Sequence, residues 1–149
     1  MYTALDVSRY VITQCSQAEK PISNLKLQKV LYFLWADFYR ETKKYLFFDD
    51  ICAWQLGPVI PDVYYQYCSY GGRPIYSFYS SALDPQDTLL LNSLISNYMD
   101  IPASALVNRT HAIGSAWDLT YQNGVGNRKV IPFPLICLLY TSPSPRDCS

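Results

Sequence analysis

The first segment of the chain has the pattern of a capped amphipathic helix. Thr3 is followed three residues later by Asp6, a spacing in which each side chain can bond the backbone N–H of the other residue at a helix start. The apolar residues Leu5, Tyr10 and Ile12 then fall near one side of a helix. We predict a first helix from this cap to about Gln17. Pro21 ends it, because proline disfavours helical geometry in the residue before it.

A longer helical pattern follows. Ser23 or Asn24 can cap a helix through its side-chain oxygen, and we predict this second helix from Leu25 to about Glu41. Its apolar residues recur at spacings of three and four, at Leu27, Leu31, Leu34 and Phe38. The charged residues between them can face water in this pattern: Lys26, Lys29, Asp37 and Arg40.

The centre of the chain contains two short runs that favour extended structure. Residues 51–55 precede Gly57 and fit a short strand or an irregular loop equally well. Tyr76, Phe78 and Tyr79 form a second extended candidate, and a pairing of the two runs would give a small sheet.

Proline, aspartate and glycine mark the limits of the later helices. Pro61 suits the first turn of a third helix, which residues 71–72 end. The buried stripe of this helix is predicted at Val63, Tyr64, Tyr67 and Cys68. Asp84 caps a fourth helix, and residues 103–108 and 111–121 are predicted as two more.

Length and composition indicate one folded domain. The chain has 149 residues, enough for a single core. Hydrophobic residues make up 50% and charged residues 16%, which is far from the composition of a disordered chain. Together with the helical patterns, this predicts a mainly α fold: a single compact domain of about five to six helices with a possible short two-stranded β element.

Charge and the length of apolar runs argue against several classes of partner. Twelve basic residues balance twelve acidic ones and no basic cluster stands out, so we expect no nucleic-acid partner. The run from Val30 to Phe38 is too short to cross a bilayer, and the first eleven residues lack the pattern of a signal peptide. Five cysteines without C-x-x-C spacing favour reduced thiols. We therefore expect a cytoplasmic protein with no membrane association.

The last segment has a different character. Residues 137–149, CLLYTSPSPRDCS, combine two prolines and three serines without a helical or strand period. They resemble translated sequencing-adaptor read-through, which must be left out of reasoning about the fold. On this interpretation the domain covers residues 2–136, and the natural C-terminus after Ile136 is missing.

Candidate catalytic and metal-binding residues are few. His111 is the only histidine, and the chain has no G-x-S-x-G motif or recognisable cysteine nucleophile, so we predict no catalytic site. One histidine and scattered thiols do not form a zinc site, and Asp49 and Asp50 fit a solvated turn better than a Mg²⁺ site. Residues 124–126 are interpreted as a turn, since no strand precedes them as in a phosphate loop. We expect no metal and no cofactor.

The segment from Trp54 to Tyr64, WQLGPVIPDVY, carries more information. It places Gly57, Pro58 and Pro61 between two aromatic residues. Glycine allows a close approach of the backbone, and the prolines stiffen the path into the third helix, so the segment is a rigid corner. Its aromatic residues either pack the core or present a surface to a partner, and the two interpretations are equally supported.

At this corner the chain resembles the Panacea antitoxin domain, a group that includes SocA-like antitoxins and many phage-associated proteins. The resemblance covers residues 2–136. Its elements, in order, are ALDVSRY at residues 4–10, ISNLKLQKVLY at residues 22–32, AWQLGPVIPDVY at residues 53–64, and Thr110-His111 with Trp117. The family pattern often continues from His111 to an acidic residue and Pro-Trp, whereas residues 114–116 of this chain read Gly-Ser-Ala.

The resemblance implies a non-enzymatic function. The domain would bind and neutralise a cognate protein toxin, usually encoded by the neighbouring gene, through direct protein–protein contact. SocA-type relatives instead act as adaptors that deliver a toxin to a ClpXP-like protease, which is the alternative function. An enzyme that uses His111 and a transcriptional regulator are weaker alternatives.

Contact with a toxin requires anchor residues on one surface. Five aromatic residues are candidate anchors: Trp54, Tyr64, Tyr67, Tyr70 and Trp117. The predicted partner-binding set combines some of these with the residues of the corner: Trp54, Gly57, Pro58, Pro61, Tyr64, His111 and Trp117.

Overall fold

The structure is a computed structural model that describes residues 2–141, with side chains described through Leu139. Within these residues the helices are α1 (Ala4–Gln17), α2 (Asn24–Thr42), α3 (Pro61–Tyr67), α4 (Pro85–Met99), α5 (Ala103–Thr110), α6 (Ala116–Tyr121) and α7 (Phe133–Thr141). Two strands, β1 (Cys52–Trp54) and β2 (Gly57–Val59), form an antiparallel sheet. Short 3₁₀ turns cover Cys68–Tyr70 and Gln122–Gly124. The mainly α class with a small two-stranded sheet is confirmed, and α7 is the addition to the predicted five to six helices.

Local capping signals place the helix starts where the sequence predicts them. Thr3 and Asp6 form the capping box at α1, with both reciprocal N–H···O distances at 3.1 Å. Ser23, and not Asn24, caps α2, and Asp84 caps α4. Each cap satisfies backbone N–H groups that lack a partner inside the helix.

Helix α2 lies at the centre of the fold. It contacts α1, α3, α4, α5, α7 and β2, and its residues 27–36 are buried without interruption. Because other elements surround α2, its buried residues are not confined to one apolar stripe. The fold therefore covers positions that the helical pattern assigns to solvent.

Three of the four charged residues predicted to face water on α2 are in fact covered. Lys29 is fully buried, so this prediction is wrong. Lys26 is half-buried and donates to the Met99 carbonyl at 2.7 Å, and Asp37 is half-buried and accepts a hydrogen bond from the hydroxyl of Tyr98. Only Arg40 of this group is exposed.

The small sheet is built from different partners than predicted. Strand β1 pairs with β2 through a tight hairpin and not with Tyr76–Tyr79. The other edge of β1 pairs with residues 128–131, where the N–H of Arg128 donates to the Ala53 carbonyl at 2.6 Å and the N–H of Ala53 donates to the Lys129 carbonyl at 2.8 Å. The N–H of Ile131 donates to the Ile51 carbonyl at 2.7 Å.

Two helix assignments need correction. His111 ends α5 as its C-cap, and α6 begins only at Ala116, after Gly114 adopts φ +80°. The prediction of one helix over residues 111–121 is thus wrong for residues 111–115. In α3, Val63 and Tyr67 are buried as predicted, but Cys68 is exposed and Tyr64 is half-buried.

Helix α7 crosses the predicted boundary at residue 136. It continues to Thr141, and its Ile136 and Cys137 are buried, although the sequence of residues 137–149 predicts no helix. Cys148 lies outside the described residues. None of the four described cysteines, Cys15, Cys52, Cys68 and Cys137, forms a disulfide. The assignment of residues 137–149 to a non-native tail, and of the domain to residues 2–136, stays a prediction.

Candidate protein-binding surface

The predicted corner is a β-hairpin followed at once by α3. Trp54 pairs with Gly57 across the two-residue loop, and Pro61 occupies the first turn of α3. Gly57 has φ +111°, and a Cβ atom there would lie 2.6 Å from the Thr110 Oγ1 and 2.9 Å from the Lys29 Cε. Only glycine fits this position without strain. The backbone has a positive φ that other residues rarely adopt, and the close neighbours leave no room for a Cβ atom.

Two buried polar side chains of α2 hold the far end of the corner. The Gln28 Oε1 accepts from the N–H of Ile60 at 2.9 Å, and the Gln28 Nε2 donates to the Asn24 Oδ1 at 2.9 Å. The Asn24 Nδ2 then donates to the carbonyl of Tyr64 at 3.1 Å. These bonds give the Ile60 N–H and the Tyr64 carbonyl side-chain partners, as buried polar groups require.

Lys29 holds the middle of the corner. Its Nζ donates to the Pro58 carbonyl at 2.8 Å, and the side chain is fully buried. Burial disfavours the charged ammonium and lowers the pKa of Lys29 to about 7. No ion pair with a carboxylate is found for it among the described residues. Lys29 is therefore a structural residue of the corner, and its stem packs beneath Gly57.

Trp54 is held on three sides. Its ring lies 5.0 Å from that of Tyr64 in an edge-to-face arrangement, and the guanidinium of Arg128 lies 4.2 Å above the ring centroid. Its carbonyl accepts a hydrogen bond from the Trp117 Nε1 at 2.7 Å. Cation–π and aromatic contacts of this kind fix the orientation of a half-exposed ring.

His111 and Trp117 support the hairpin from behind. The two rings stack with centroids 4.0 Å apart, and Tyr121 stacks on the other face of Trp117 at 4.6 Å. The His111 Nε2 is buried and has no hydrogen-bond partner among the described residues. Burial, followed by the charge of Lys29, lowers the pKa of His111, while Asp118 opposes this shift. The neutral imidazole is thus the favoured form.

An open groove lies in front of Trp54. One cavity of about 320 Å³ is lined by Leu25, Trp54, Gln55, Leu56, Val59, Tyr64, Asn127 and Arg128. A neighbouring cavity of about 220 Å³ shares Leu25, Leu56 and Tyr64 with the first. We call these two cavities the Trp54 groove. Leu56, 54% exposed, lines both cavities, and the ring of the exposed Tyr65 lies 6.1 Å from that of Trp54.

The seven predicted partner-binding residues lie in one region, but at different depths. Trp54 and Tyr64 line the groove. Gly57 and Pro58 are buried beneath it, Pro61 is half-buried, and His111 and Trp117 lie behind the hairpin. Partner binding by this set stays a prediction, and only Trp54 and Tyr64 of the set line the groove.

The sequence interpretation did not select three residues that build the surface. Leu56 is exposed at the groove, Arg128 covers Trp54, and Lys29 supports Pro58. Arg128 follows the loop interpreted as a turn, which the structure confirms as a 3₁₀ turn and the bends after it. Nothing in the sequence near this turn predicts that Arg128 contacts Trp54.

Other candidate chemistry stays unassembled in the part of the chain that the structure describes. No group of three His, Cys, Asp or Glu side chains lies close enough together to hold a metal ion. Asp49 is predicted to lie in a solvated turn. Its Oδ1 also accepts a hydrogen bond from the N–H of Ala4 at 2.9 Å, so it has a structural contact. Among residues 2–141, none of the helices combines the length and the apolar character needed to span a bilayer.

Comparison with known proteins gives a consistent result. The family profile described as "Antitoxin SocA-like, Panacea domain" matches residues 27–118, which include most of α2, the corner and the start of α6. Antitoxin SocA of Caulobacter vibrioides (strain NA1000 / CB15N) is 31% identical over 133 residues, covering 80% of this chain and 70% of that protein. No solved structure matches the chain. The chain therefore belongs to the SocA-like antitoxin family with a Panacea domain.

Proposed function

We propose that this protein neutralises a cognate protein toxin in the cytoplasm by direct contact, and that the Trp54 groove is part of the contact surface. The observation that carries the proposal is the groove itself, in a chain of an antitoxin family. Trp, Tyr and Arg are the residue types that dominate binding energy at protein interfaces, and Trp54, Tyr64 and Arg128 meet here.

The charge of the groove supports a protein partner with an acidic group at this point. The guanidinium of Arg128 lies on the Trp54 ring and forms no ion pair with a described carboxylate. A carboxylate of the partner would supply that pair, next to the apolar side chain of Leu56. Neutralisation follows if the partner segment seated here belongs to the active site of the toxin or lies beside it.

A second candidate function is that of a proteolytic adaptor. The similarity to the Antitoxin SocA of Caulobacter vibrioides favours it, because the resemblance seen in the sequence implies an adaptor for a ClpXP-like protease as the alternative function. Such a protein raises the local concentration of toxin at the protease by binding both. The two functions differ in the fate of the toxin, which stays intact in one and is lost in the other.

The test is co-expression of the full chain with the product of the adjacent reading frame, scoring growth and the level of that product. Rescue with an intact, co-purifying product supports neutralisation by contact, and rescue with protease-dependent loss supports the adaptor function. If the product is harmless, or if it is toxic and neither binds nor is rescued, the proposal of an antitoxin for this neighbour is wrong.

The groove is tested by a matched pair of variants. Leu56 and Leu89 are both exposed leucines, but Leu89 lies on α4 and does not line the groove. We expect Leu56→Asp to weaken binding of the adjacent product at least tenfold, because it places a charge in the groove, and Leu89→Asp to leave binding unchanged. Equal binding by both variants would exclude the groove from the contact surface while leaving the antitoxin function intact.

A further inference from the structure

Residues 75–80 run extended along α1, and only one edge of this segment is bonded. The N–H of Ile75 donates to the Ile22 carbonyl at 2.8 Å, the N–H of Ser77 to the Ser16 Oγ at 3.1 Å, and the N–H of Tyr79 to the Thr13 Oγ1 at 2.9 Å. The alternation by two residues is that of a β-strand, in which successive N–H groups point to opposite edges. Two hydroxyl groups of α1 thus take the place of a neighbouring strand.

The other edge of the segment is open. The N–H and C=O groups of Tyr76, Phe78 and Ser80 make no hydrogen bond with any described residue. The side chains of Tyr76 and Phe78 are 61% and 55% exposed, and their rings form an edge-to-face pair 5.1 Å apart. A row of unpaired backbone groups beside exposed aromatic residues is a template for pairing with another chain.

We propose that this open edge, residues 76–80, receives an extended segment of the toxin, which adds to it as a strand. The inference rests on the proposed function and assigns a second, separate contact surface to it. Another extended backbone presents both donors and acceptors at the two-residue spacing of Tyr76, Phe78 and Ser80. The exposed aromatic pair would cover apolar side chains at alternate positions of that segment.

Charge separates a toxin segment from a second copy of this chain. No carboxylate occurs between Asp62 and Asp84, while Arg73 is exposed and the Arg9 guanidinium lies 5.6 Å from the Tyr79 ring centroid. Neither arginine forms an ion pair with a described carboxylate. In a pairing of two copies, neither segment would contribute an acidic residue to complement these arginines. A partner segment that alternates apolar and acidic residues complements this edge instead.

Amide hydrogen exchange of the full chain, alone and bound to the product of the adjacent reading frame, tests the proposal residue by residue. In the free chain we expect the amides of Tyr76, Phe78 and Ser80 to exchange fast, and those of Ser77 and Tyr79 slowly. Complex formation should slow the first set at least tenfold, because these N–H groups gain acceptors, and change the second set little.

A matched pair of substitutions at the centre of the edge separates the backbone donor from the side chain. Phe78→Val and Phe78→Pro both replace the ring by a smaller apolar group, but only Phe78→Pro removes the N–H. Proline suits this extended backbone and leaves the inward bonds of Ser77 and Tyr79 in place. We expect Phe78→Pro to bind the adjacent product at least tenfold more weakly than Phe78→Val. Thermal unfolding of both variants verifies that they fold.

The outcomes distinguish this inference from the function on which it rests. Slowed exchange at the open edge and a deficit specific to Phe78→Pro support it. A stable complex in which the three amides still exchange fast overturns it and leaves the antitoxin function intact. Slow exchange that appears in the free chain at high concentration, together with dimerisation, identifies a second copy as the occupant and also overturns it. Absence of any complex or rescue overturns both proposals.

Discussion

The corner at residues 54–64 and the extended segment at residues 75–80 are both held by side chains of a helix, yet they differ in how many of their backbone groups those side chains bond. At the corner, Asn24, Gln28 and Lys29 of α2 bond the backbone groups that face the core. At the extended segment, Ser16 and Thr13 of α1 satisfy one edge, and no described residue bonds the opposite edge.

The difference follows from the length of the side chains and the position of each helix. Lys29 and Gln28 reach across from a buried central helix and bond the backbone of Pro58 and Ile60, within and just after β2. Serine and threonine are short and stand on the face of α1 that one edge of the segment covers. A backbone that is satisfied throughout serves as a rigid support, whereas one that is satisfied on one edge is open to addition.

The largest effect is expected from removing the fit of the corner. Gly57→Ala should lower the free energy of unfolding by about 3–5 kcal/mol, because the new Cβ meets Thr110 and Lys29 at less than 3 Å and the backbone has φ +111°. Gly72→Ala, whose Cβ would meet nothing within 4 Å, serves as control and should change it by less than about 0.5 kcal/mol. Chemical denaturation of both variants measures the difference. Equal stability of Gly57→Ala and Gly72→Ala would show that the corner rearranges at little cost to accept a Cβ atom.

The next effect concerns the burial of Lys29. Its pKa is about 7 in the folded protein and returns to the ordinary value of 10.5 on unfolding, so the unfolded chain binds more protons between these pH values. The contribution of Lys29 to stability therefore rises with pH across this window. We expect the unfolding free energy of the wild type, relative to that of Lys29→Met, to rise by about 3 kcal/mol from pH 7.5 to 10.

Comparison of the two proteins cancels the thiols and phenols, which both contain. Denaturant titrations at four pH values measure the difference. If the wild type and Lys29→Met show parallel pH dependence, Lys29 is hydrated and the corner is less closed than its geometry indicates.

The smallest effect is expected at the extended segment. Thr13→Val removes the acceptor of the Tyr79 N–H and should cost about 1 kcal/mol. Thr120→Val is the matched control, since the hydroxyl of Thr120 donates only to the Ala116 carbonyl within its own helix. Exchange of the Tyr79 amide should accelerate in Thr13→Val alone. Unchanged exchange would mean that α1 does not position this segment.

Local signals predict the ends of several elements well. The capping box at Thr3, the cap at Ser23 and the Asp84 cap before Pro85 depend on residues within one turn of each other, so the sequence carries the whole interaction. The break at His111 escaped prediction because it depends on the positive φ of Gly114 and a new cap at Ser115. These two features involve single residues, whereas the apolar pattern of residues 111–121 favours one continuous helix.

Interactions between distant residues account for the remaining errors. Lys29 has the spacing of a solvent-facing lysine, but its acceptor lies at Pro58, 29 residues away. The aromatic pattern of Tyr76–Tyr79 indicates extended backbone, as found. The N–H groups of this segment bond two hydroxyl groups of α1 and not a neighbouring strand. Trp54 and Tyr64 of the predicted set line the groove, whereas Arg128 joins them only through the fold.

The position of Trp54 also bears on the entropy of association. Its ring is already bounded by Tyr64 and Arg128, and its carbonyl is bonded to Trp117 before any partner arrives. Ordering a free side chain at an interface costs about 0.5–1.5 kcal/mol, and most of that cost for Trp54 is met during folding. A protein that docks against this ring meets a surface with its shape already set. Its affinity is then decided by complementarity and less by the loss of side-chain motion.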